Sequence, residues 1–338
     1  MNIYDISRKA GVSIATVSRV LNHSSHVSEE TRNRVMSVIR ENSYVPNAFA
    51  RGLGLNTMNT IGLLCPDASD PYQAQALSYL ENYFREKGYD CLLLCTGRDK
   101  TARVLGVENL KNRHVDGMVL MGSSFVNREE KENAYIREAA ESMPVALLNG
   151  EYDAPGVYCA VCDDYSAAKE ATESLIRTGR RRILHLYHAM NASGRRKLEG
   201  YSDALREADI PFDERLVWEV GKDARSIPRV MEMLDRLAGE GIRFDAVFCS
   251  EDILAVGAIK YARERGIRIP EELAVIGYNN SLLCQCSEPE MSSVDNQLEP
   301  ICRHIAATMT AVIEGGKAET KKVFPGRLIP RASSQDAI

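Results

Sequence analysis

The sequence predicts a small helical headpiece followed by an α/β body of two doubly wound parallel-sheet lobes. Residues 3–22 have the apolar spacing of two short helices around a tight turn. From residue 61, short continuous apolar runs alternate with amphipathic stretches of helical length. Such strands with helical crossovers are typical of parallel sheets covered on both faces. A length of 338 residues also favours more than one domain.

The first two helices are predicted from IYDISRKAGVSIATVSRVLN. Gly11 tolerates the left-handed geometry that ends a helix, and Ser13 is placed to cap the next one. The apolar positions that would face inward are Ile3, Ile6, Ala10, Val17, Val20 and Leu21.

The outward side chains of the second helix are small or polar, with one arginine: Ile14, Ala15, Ser18, Arg19 and Asn22. Such a surface suits a helix that fits into a DNA groove. An ordinary helical hairpin with a solvated face has the same periodicity. Charge favours the DNA interpretation, because residues 1–60 carry a net +3 although the whole chain carries −5.

A third helix should begin after Ser28, with Val35, Val38 and Ile39 facing inward. The following PNAFARGLGL is short and rich in glycine, so it would not form a stable helix alone. It is either a plain linker or a segment that becomes helical on DNA.

The body should contain strands at 61–65, 91–95, 117–121, 145–149, 157–161, 183–187, 246–250 and 273–277. Two successive sheets of this kind predict a ligand cleft between the lobes, at the carboxyl ends of the strands.

An enzyme is the main rival class, but the motifs of common α/β enzymes are absent from the sequence. There is no GxxxxGK[ST], GxGxxG after the first strand, HExxH or GxSxG. Asp163 and Asp164 are adjacent, so on a strand they would point to opposite faces. We therefore expect no catalytic residues, cofactor or metal site.

The sequence also bears on the compartment. No apolar run is long enough to cross a membrane, and Asp5, Arg8 and Lys9 interrupt any signal-peptide core. A cytoplasmic protein is expected, with its nine cysteines mostly reduced in the core. Cys159 and Cys162 form a CxxC without a second pair, so a zinc or redox site there is a minor alternative. Two further cysteines, Cys284 and Cys286, lie in a loop or short helix.

The first helices resemble the headpiece of the lactose-repressor/galactose-repressor family of bacterial transcription regulators, which has the form DVA..AGVS.ATVSRVLN. Further family landmarks run along the body: IGLLCPDASDPY, VDGMVLMGS, GRRRI, EGYSDAL, EDILAVGA, RGIRIPEELAVIGYNN and LIPRAS. The resemblance implies a body like a periplasmic sugar-binding protein. It divides the chain into a headpiece (1–45), a hinge (46–60) and a body (61–338). The first lobe would comprise roughly 61–160 and 290–320, and the second roughly 161–289 and 321–338.

The resemblance also implies DNA contacts. Ile14, Ala15 and Arg19 would read bases, Thr16 and Asn22 would contact or approach the backbone, and Ser18 would face the groove. In the hinge, Pro46, Asn47, Ala50, Arg51 and Leu53 match the family motif, and Leu53 would be a minor-groove wedge. The expected function is a homodimeric regulator, most simply a repressor, on a pseudo-palindromic operator.

Effector residues follow by position from the same resemblance: Asp67, Tyr72, Ser123, Ser124, Asp163, Lys197, Lys222, Asp252 and Asn279. For each, capping of the next helix is the competing interpretation. Lys197, Lys222 and Asn279 depart from the family's usual arginine, aromatic and aspartate, and Glu251 replaces an asparagine. A positive cleft for an anionic sugar derivative is one hypothesis, and a neutral sugar is the other. KLxGY also occurs in catabolite-control regulators, which respond to a phosphorylated partner protein as well as metabolites.

Overall fold

The computed structural model describes residues 2–21, 26–42, 57–97, 99–221 and 226–335. The chain divides into two compact units, one of Met1–Thr60 with His114–Asp116 and one of Ile61–Arg113 with Gly117–Ile338.

The first unit contains the three predicted helices, α1 (Ile3–Ala10), α2 (Ile14–Leu21) and α3 (Glu29–Glu41). Gly11 ends α1 with a φ of 62°. The Ser13 hydroxyl accepts a hydrogen bond from the Thr16 amide at 3.1 Å, and Ser28 caps α3. These three caps are confirmed. The fully buried side chains of Ile6, Val17 and Val35 hold the helices together; burial of each contributes about 1.5–3 kcal/mol.

The first lobe of the body is a six-stranded sheet with the strand order β11-β5-β4-β3-β1-β2, and every strand pair whose register is resolved is parallel. Its strands are β1 (Thr60–Cys65), β2 (Asp90–Cys95), β3 (Gly117–Met121), β4 (Val145–Leu148), β5 (Val157–Cys162) and β11 (Lys321–Phe324). Its helices are α4 (Pro71–Glu86), α5 (Lys100–Asn112), α6 (Ala134–Ala140) and α12 (Leu298–Ile313). Apolar faces of α4 and α12 pack against the strands and bury one core.

The second lobe is a six-stranded sheet of order β12-β10-β9-β8-β6-β7. Its strands are β6 (Ile183–Tyr187), β7 (Val217–Glu219), β8 (Ala246–Cys249), β9 (Ala274–Tyr278), β10 (Ser292–Asp295) and β12 (Arg327–Ile329). Its helices are α7 (Asp164–Arg177), α8 (Ala192–Glu207), α9 (Ile227–Gly239), α10 (Asp252–Glu264) and α11 (Leu283–Cys286). Only β12 runs antiparallel to its neighbour.

Two lobe boundaries drawn from the family topology are wrong. The resemblance places residues 290–320 in the first lobe, but strand β10 belongs to the second sheet, where it pairs with β9. It places residue 321 onward in the second lobe, but strand β11 pairs with β5 in the first sheet. Neither strand has a continuous apolar run, so their sheets could not be recognised from sequence.

The cysteines are all free, but they are not uniformly buried. Cys95 is exposed at the end of the edge strand β2, contrary to the expectation of a core residue. Cys284 is buried and Cys286 is exposed. Within the described ranges, no helix is both long and apolar enough to span a membrane, and no His, Cys, Asp and Glu side chains cluster as a metal site.

Candidate functional site

The outer face of α2 has the predicted composition. Ile14 is 39% exposed, Ala15 and Arg19 are also exposed, and Thr16 and Ser18 are partly buried. The inner face is held by Val17 and Val20, which are almost completely buried. Asn22 of the headpiece and the hinge residues Pro46, Asn47, Ala50, Arg51 and Leu53 lie outside the described residues. Tyr4 on α1 is 62% exposed, and sequence analysis did not single it out.

In the body, a cavity of about 330 Å³ lies at the carboxyl ends of the strands of both sheets. Ligands bind at this edge of open parallel sheets because loops and helix N-termini converge there. Residues that follow β1, β3, β4 and β5 line one side, and residues that follow β6, β8, β9 and β10 line the other.

Lys197 is the central cation of this cleft and is 7% exposed. Its Nζ donates to the Ser250 carbonyl at 3.2 Å and lies 3.6 Å from the centroid of the Tyr278 ring. The Tyr278 hydroxyl in turn donates to Asp164 Oδ1 at 2.6 Å. Burial and the neighbouring carboxylate raise the pKa of Tyr278 well above its usual value. The phenol therefore remains protonated and connects the ammonium group to the carboxylate.

A second polar group joins the ends of β6 and β8. His188 Nδ1 lies 3.0 Å from Glu251 Oε1, and both residues line the cavity. His188 Nε2 is buried and has no hydrogen-bond partner within the described part of the chain.

On the opposite side, Tyr72 receives a hydrogen bond from the Asn149 amide, whose oxygen accepts from the Cys162 backbone at 3.0 Å. Burial raises the pKa of Tyr72 well above its usual value, so its hydroxyl is a neutral donor and acceptor. Gln73 also lines this side, and its Oε1 is buried without a partner among the described residues.

The structure brings five predicted effector residues to the cleft: Tyr72, Ser123, Ser124, Lys197 and Asn279. Lys222 lies outside the described residues.

Three predicted carboxylates are not part of this lining. Asp67 accepts hydrogen bonds from the amide and hydroxyl of Ser69 within its own loop. Asp163 caps α7 by accepting from the Ser166 amide. For these two, local capping or turn bonding describes the position observed.

Asp252 is the third carboxylate, and it is 3% exposed. Its oxygens accept from the Ser293 hydroxyl at 2.6 Å and the Ser281 amide at 2.7 Å. It lines a smaller, adjacent cavity of about 230 Å³ and links α10 to β10. Burial raises the pKa of Asp252, and the hydrogen bond from Ser293 opposes that change.

Several residues that were not predicted from the sequence also line the cleft: Gln73, Asn149, Asp164, His188 and Asn296. Asp163 and Asp164 lie at the start of α7 and not on a strand; Asp164 lines the cleft, whereas Asp163 caps the helix. Asn149 and His188 come directly after apolar strands, which was the available signal for them. Gln73 lies within α4 and Asn296 follows the polar strand β10, so no such signal was available for these two.

The charge of the described lining differs from the expectation of a positive cleft. Asp70, Asp164 and Glu251 contribute three carboxylates, and Lys197 contributes one ammonium group. The sequence-based charge balance omitted all three of these carboxylates.

Comparisons with known proteins agree with this architecture. A model described as bacterial regulatory proteins, lacI family, matches residues 2–47, and one described as a periplasmic binding protein-like domain matches residues 172–334. An HTH-type transcriptional regulator of Lachnoclostridium phytofermentans is 43% identical over 99% of both chains. The chain belongs to the LacI family.

Two further comparisons extend this result. Catabolite control protein A of Staphylococcus xylosus is 30% identical over 89% of both chains. The crystal structure of the Lac repressor dimer bound to operator and an anti-inducer has a TM-score of 0.87, with 22% identity over 99% of both chains, and shows the same fold. The protein is accordingly a DNA-binding transcriptional regulator and not an enzyme.

Proposed function

We propose that this LacI-family regulator represses transcription in the cytoplasm by binding a pseudo-palindromic operator as a homodimer, and that an uncharged polyhydroxyl metabolite in the cleft controls it. The observation that supports DNA binding is the outer face of α2, where Arg19 is exposed among small side chains. The opposite face of this helix is buried through Val17 and Val20. A guanidinium group reads guanine by a bidentate hydrogen bond in the major groove.

Exposed apolar side chains on the body support a homodimer. Leu93 lies on the edge strand β2 and is 42% exposed, and Leu105 on α5 is 62% exposed. A long apolar edge strand left in water is an aggregation hazard, so a second copy of this chain is its expected cover. Leu105→Lys should then shift the protein from dimer to monomer in sedimentation experiments. Leu205, by contrast, is buried within the body and cannot contribute to a contact between two copies.

The ligand half rests on the charges of the cleft. Three carboxylates against one ammonium group, itself linked through Tyr278 to Asp164, disfavour a phosphate or carboxylate ligand. Hydroxyl groups can donate to carboxylate and amide oxygens and accept from Lys197, so a neutral polyol matches this lining better. The anionic hypothesis raised by Lys222 and Asn279 is therefore not the one we propose.

Selection of binding sites from random DNA tests the operator. The expected product is a pseudo-palindrome with half-sites about one helical turn apart. Failure to recover any two-fold symmetric site would contradict the proposal.

A thermal-shift titration of the full chain tests the ligand class. Neutral sugars are compared with their phosphates and with sugar acids, because a ligand that binds only the folded state raises Tm with concentration. We expect shifts with neutral sugars alone. Stabilisation by the phosphates or acids only would restore the anionic hypothesis.

A second candidate is a catabolite-control function with a phosphoprotein co-repressor, favoured by the 30% identity to catabolite control protein A. It predicts that a phosphorylated partner protein increases operator affinity, and that its unphosphorylated form does not. Gel-shift titrations with both forms distinguish the two candidates.

A further inference from the structure

His188 and Glu251 face each other from neighbouring strands. His188 follows β6 and Glu251 follows β8 by two residues, and these strands pair in parallel. The side chains are 11% and 27% exposed, respectively. The backbone amide of His188 also donates to the Ser250 hydroxyl. His188 is therefore positioned at the cavity wall by two contacts, one from its backbone and one from its imidazole ring.

The partner of Nδ1 determines the tautomer of this imidazole. An ionised carboxylate only accepts hydrogen bonds, so the 3.0 Å contact with Glu251 places the proton on Nδ1. In the neutral ring, Nε2 then carries a lone pair. This nitrogen is buried and has no partner among the described residues, so it is an acceptor without a donor.

Two amide oxygens at the same cleft are also acceptors without a donor in the described structure, Asn296 Oδ1 and Gln73 Oε1. The two side chains are 2% and 8% exposed. Asn296 Nδ2 donates to Asn279 Oδ1 at 3.0 Å, and Asn296 Oδ1 remains without a donor among the described residues. The cleft thus presents buried acceptors from both lobes.

We propose that the His188–Glu251 pair is a specificity-determining subsite, in which Glu251 holds the Nδ1–H tautomer and His188 Nε2 accepts a hydrogen bond from a ligand hydroxyl. Asn296 and Gln73 extend this subsite, so the selected ligand offers several hydroxyl donors. The inference rests on the proposed control by a polyhydroxyl ligand and adds which atoms select it.

The selectivity follows from the cost of leaving a buried polar atom unpaired. A site built to receive a hydrogen bond rejects an analogue that lacks the donor far more strongly than an apolar pocket rejects a missing methylene. An ionised carboxylate or phosphate placed at Nε2 would offer no donor.

The tautomer is tested without any ligand. Nitrogen NMR of the ¹⁵N-labelled full chain at neutral pH, with His188→Gln to assign the signals, should show a protonated Nδ1 and a bare Nε2 for His188. Glu251→Gln should preserve this pattern, because the glutamine oxygen still accepts from Nδ1, and Glu251→Ala should abolish it. A proton on Nε2 in the neutral wild-type ring would overturn the proposal.

The role in binding is tested with D-glucose, D-ribose and cellobiose as probes, using the one that raises Tm most. His188→Phe removes the acceptor and should weaken binding by ~10-fold or more, whereas His188→Gln should retain part of it. Circular dichroism and denaturant titrations without sugar show whether both variants are folded.

Deoxyfluoro analogues of the same sugar add a chemical control, since fluorine cannot donate a hydrogen bond. Replacing the hydroxyl that contacts Nε2 should weaken binding to wild type but make little difference to His188→Phe. Equal binding of the sugar to wild type and His188→Phe would refute this subsite. If no neutral sugar shifts Tm, the proposed effector class itself has failed.

Discussion

The pH dependence of stability should be dominated in one window by His185, a buried histidine on β6. Its ring is completely buried and stacks on Tyr201 and Phe248, with centroids 5.2 Å and 5.1 Å away. Nδ1 lies 3.2 Å from the Phe248 carbonyl, and Nε2 has no partner among the described residues. Burial lowers the pKa of His185 to about 4, from an ordinary value of 6.5.

The direction of the effect follows from the order of these two pKa values. Between pH 6.5 and 4 the unfolded chain binds a proton at this position and the folded chain does not, so acid favours unfolding. The contribution is complete above pH 6.5 and is lost as pH falls toward 4. At one and a half to two units below the unfolded pKa, the loss of unfolding free energy amounts to roughly 2–2.5 kcal/mol, since one pKa unit corresponds to about 1.4 kcal/mol.

Denaturant titrations at several pH values measure the contribution of His185 to the free energy of unfolding. The chain has one tryptophan, Trp218 on β7, which pairs with β6, so its fluorescence reports unfolding of the sheet that holds His185. His185→Phe keeps a stacking ring and removes the titrating group. His114→Asn removes an exposed imidazole as the matched control. Equal losses of stability by wild type and His185→Phe between neutral pH and pH 4.5 would refute this role of His185.

Four other outcomes are expected. Arg19→Ala should cost about 1–3 kcal/mol of operator binding and relax specificity at one base pair, as scored by binding to single-base operator variants. Leu53→Ala, in the hinge outside the described residues, should weaken operator binding and DNA bending without altering the sugar-induced Tm shift; unchanged gel-shift affinity would make the segment a linker. Gly200→Ala should lower the free energy of unfolding by about 1–3 kcal/mol, because its Cβ would lie 2.2 Å from a carbonyl oxygen of α7, while Gly239→Ala, with open space around it, should not destabilise. Asp252→Ala should cost about 1–3 kcal/mol by stripping two buried donors of their acceptor, and a neutral result in denaturant titrations would contradict that role.

The sequence alone was sufficient for features whose causes are local. Gly11, Ser13 and Ser28 act within one helical turn of their own position, so the three helices of the first unit could be placed from capping rules and apolar spacing. The eight continuous apolar runs of the body were likewise recognisable as strands. Seven of these strands are largely buried, and a strand buried on both faces must be apolar throughout, whereas β2 is an apolar strand at the sheet edge with exposed side chains.

Tertiary structure alone decided features that depend on distant partners. Strand β10 is polar yet buried, because Ser292 accepts from and donates to the chain near Ser333 and Ser293 donates to Asp252. Hydrogen bonds to distant residues, and not the composition of β10, therefore determine that this strand is buried in the second sheet.

The same reason applies to the cleft. His188 and Glu251 are 63 positions apart, and only the pairing of β6 with β8 brings them together. Asp163 and Asp164 are neighbours in sequence, yet the start of α7 leaves the first as a helix cap and the second inside the site. Helix and strand formation is determined by residues a few positions apart, whereas the electrostatics of a site between two lobes is the sum of contributions from eight strand ends.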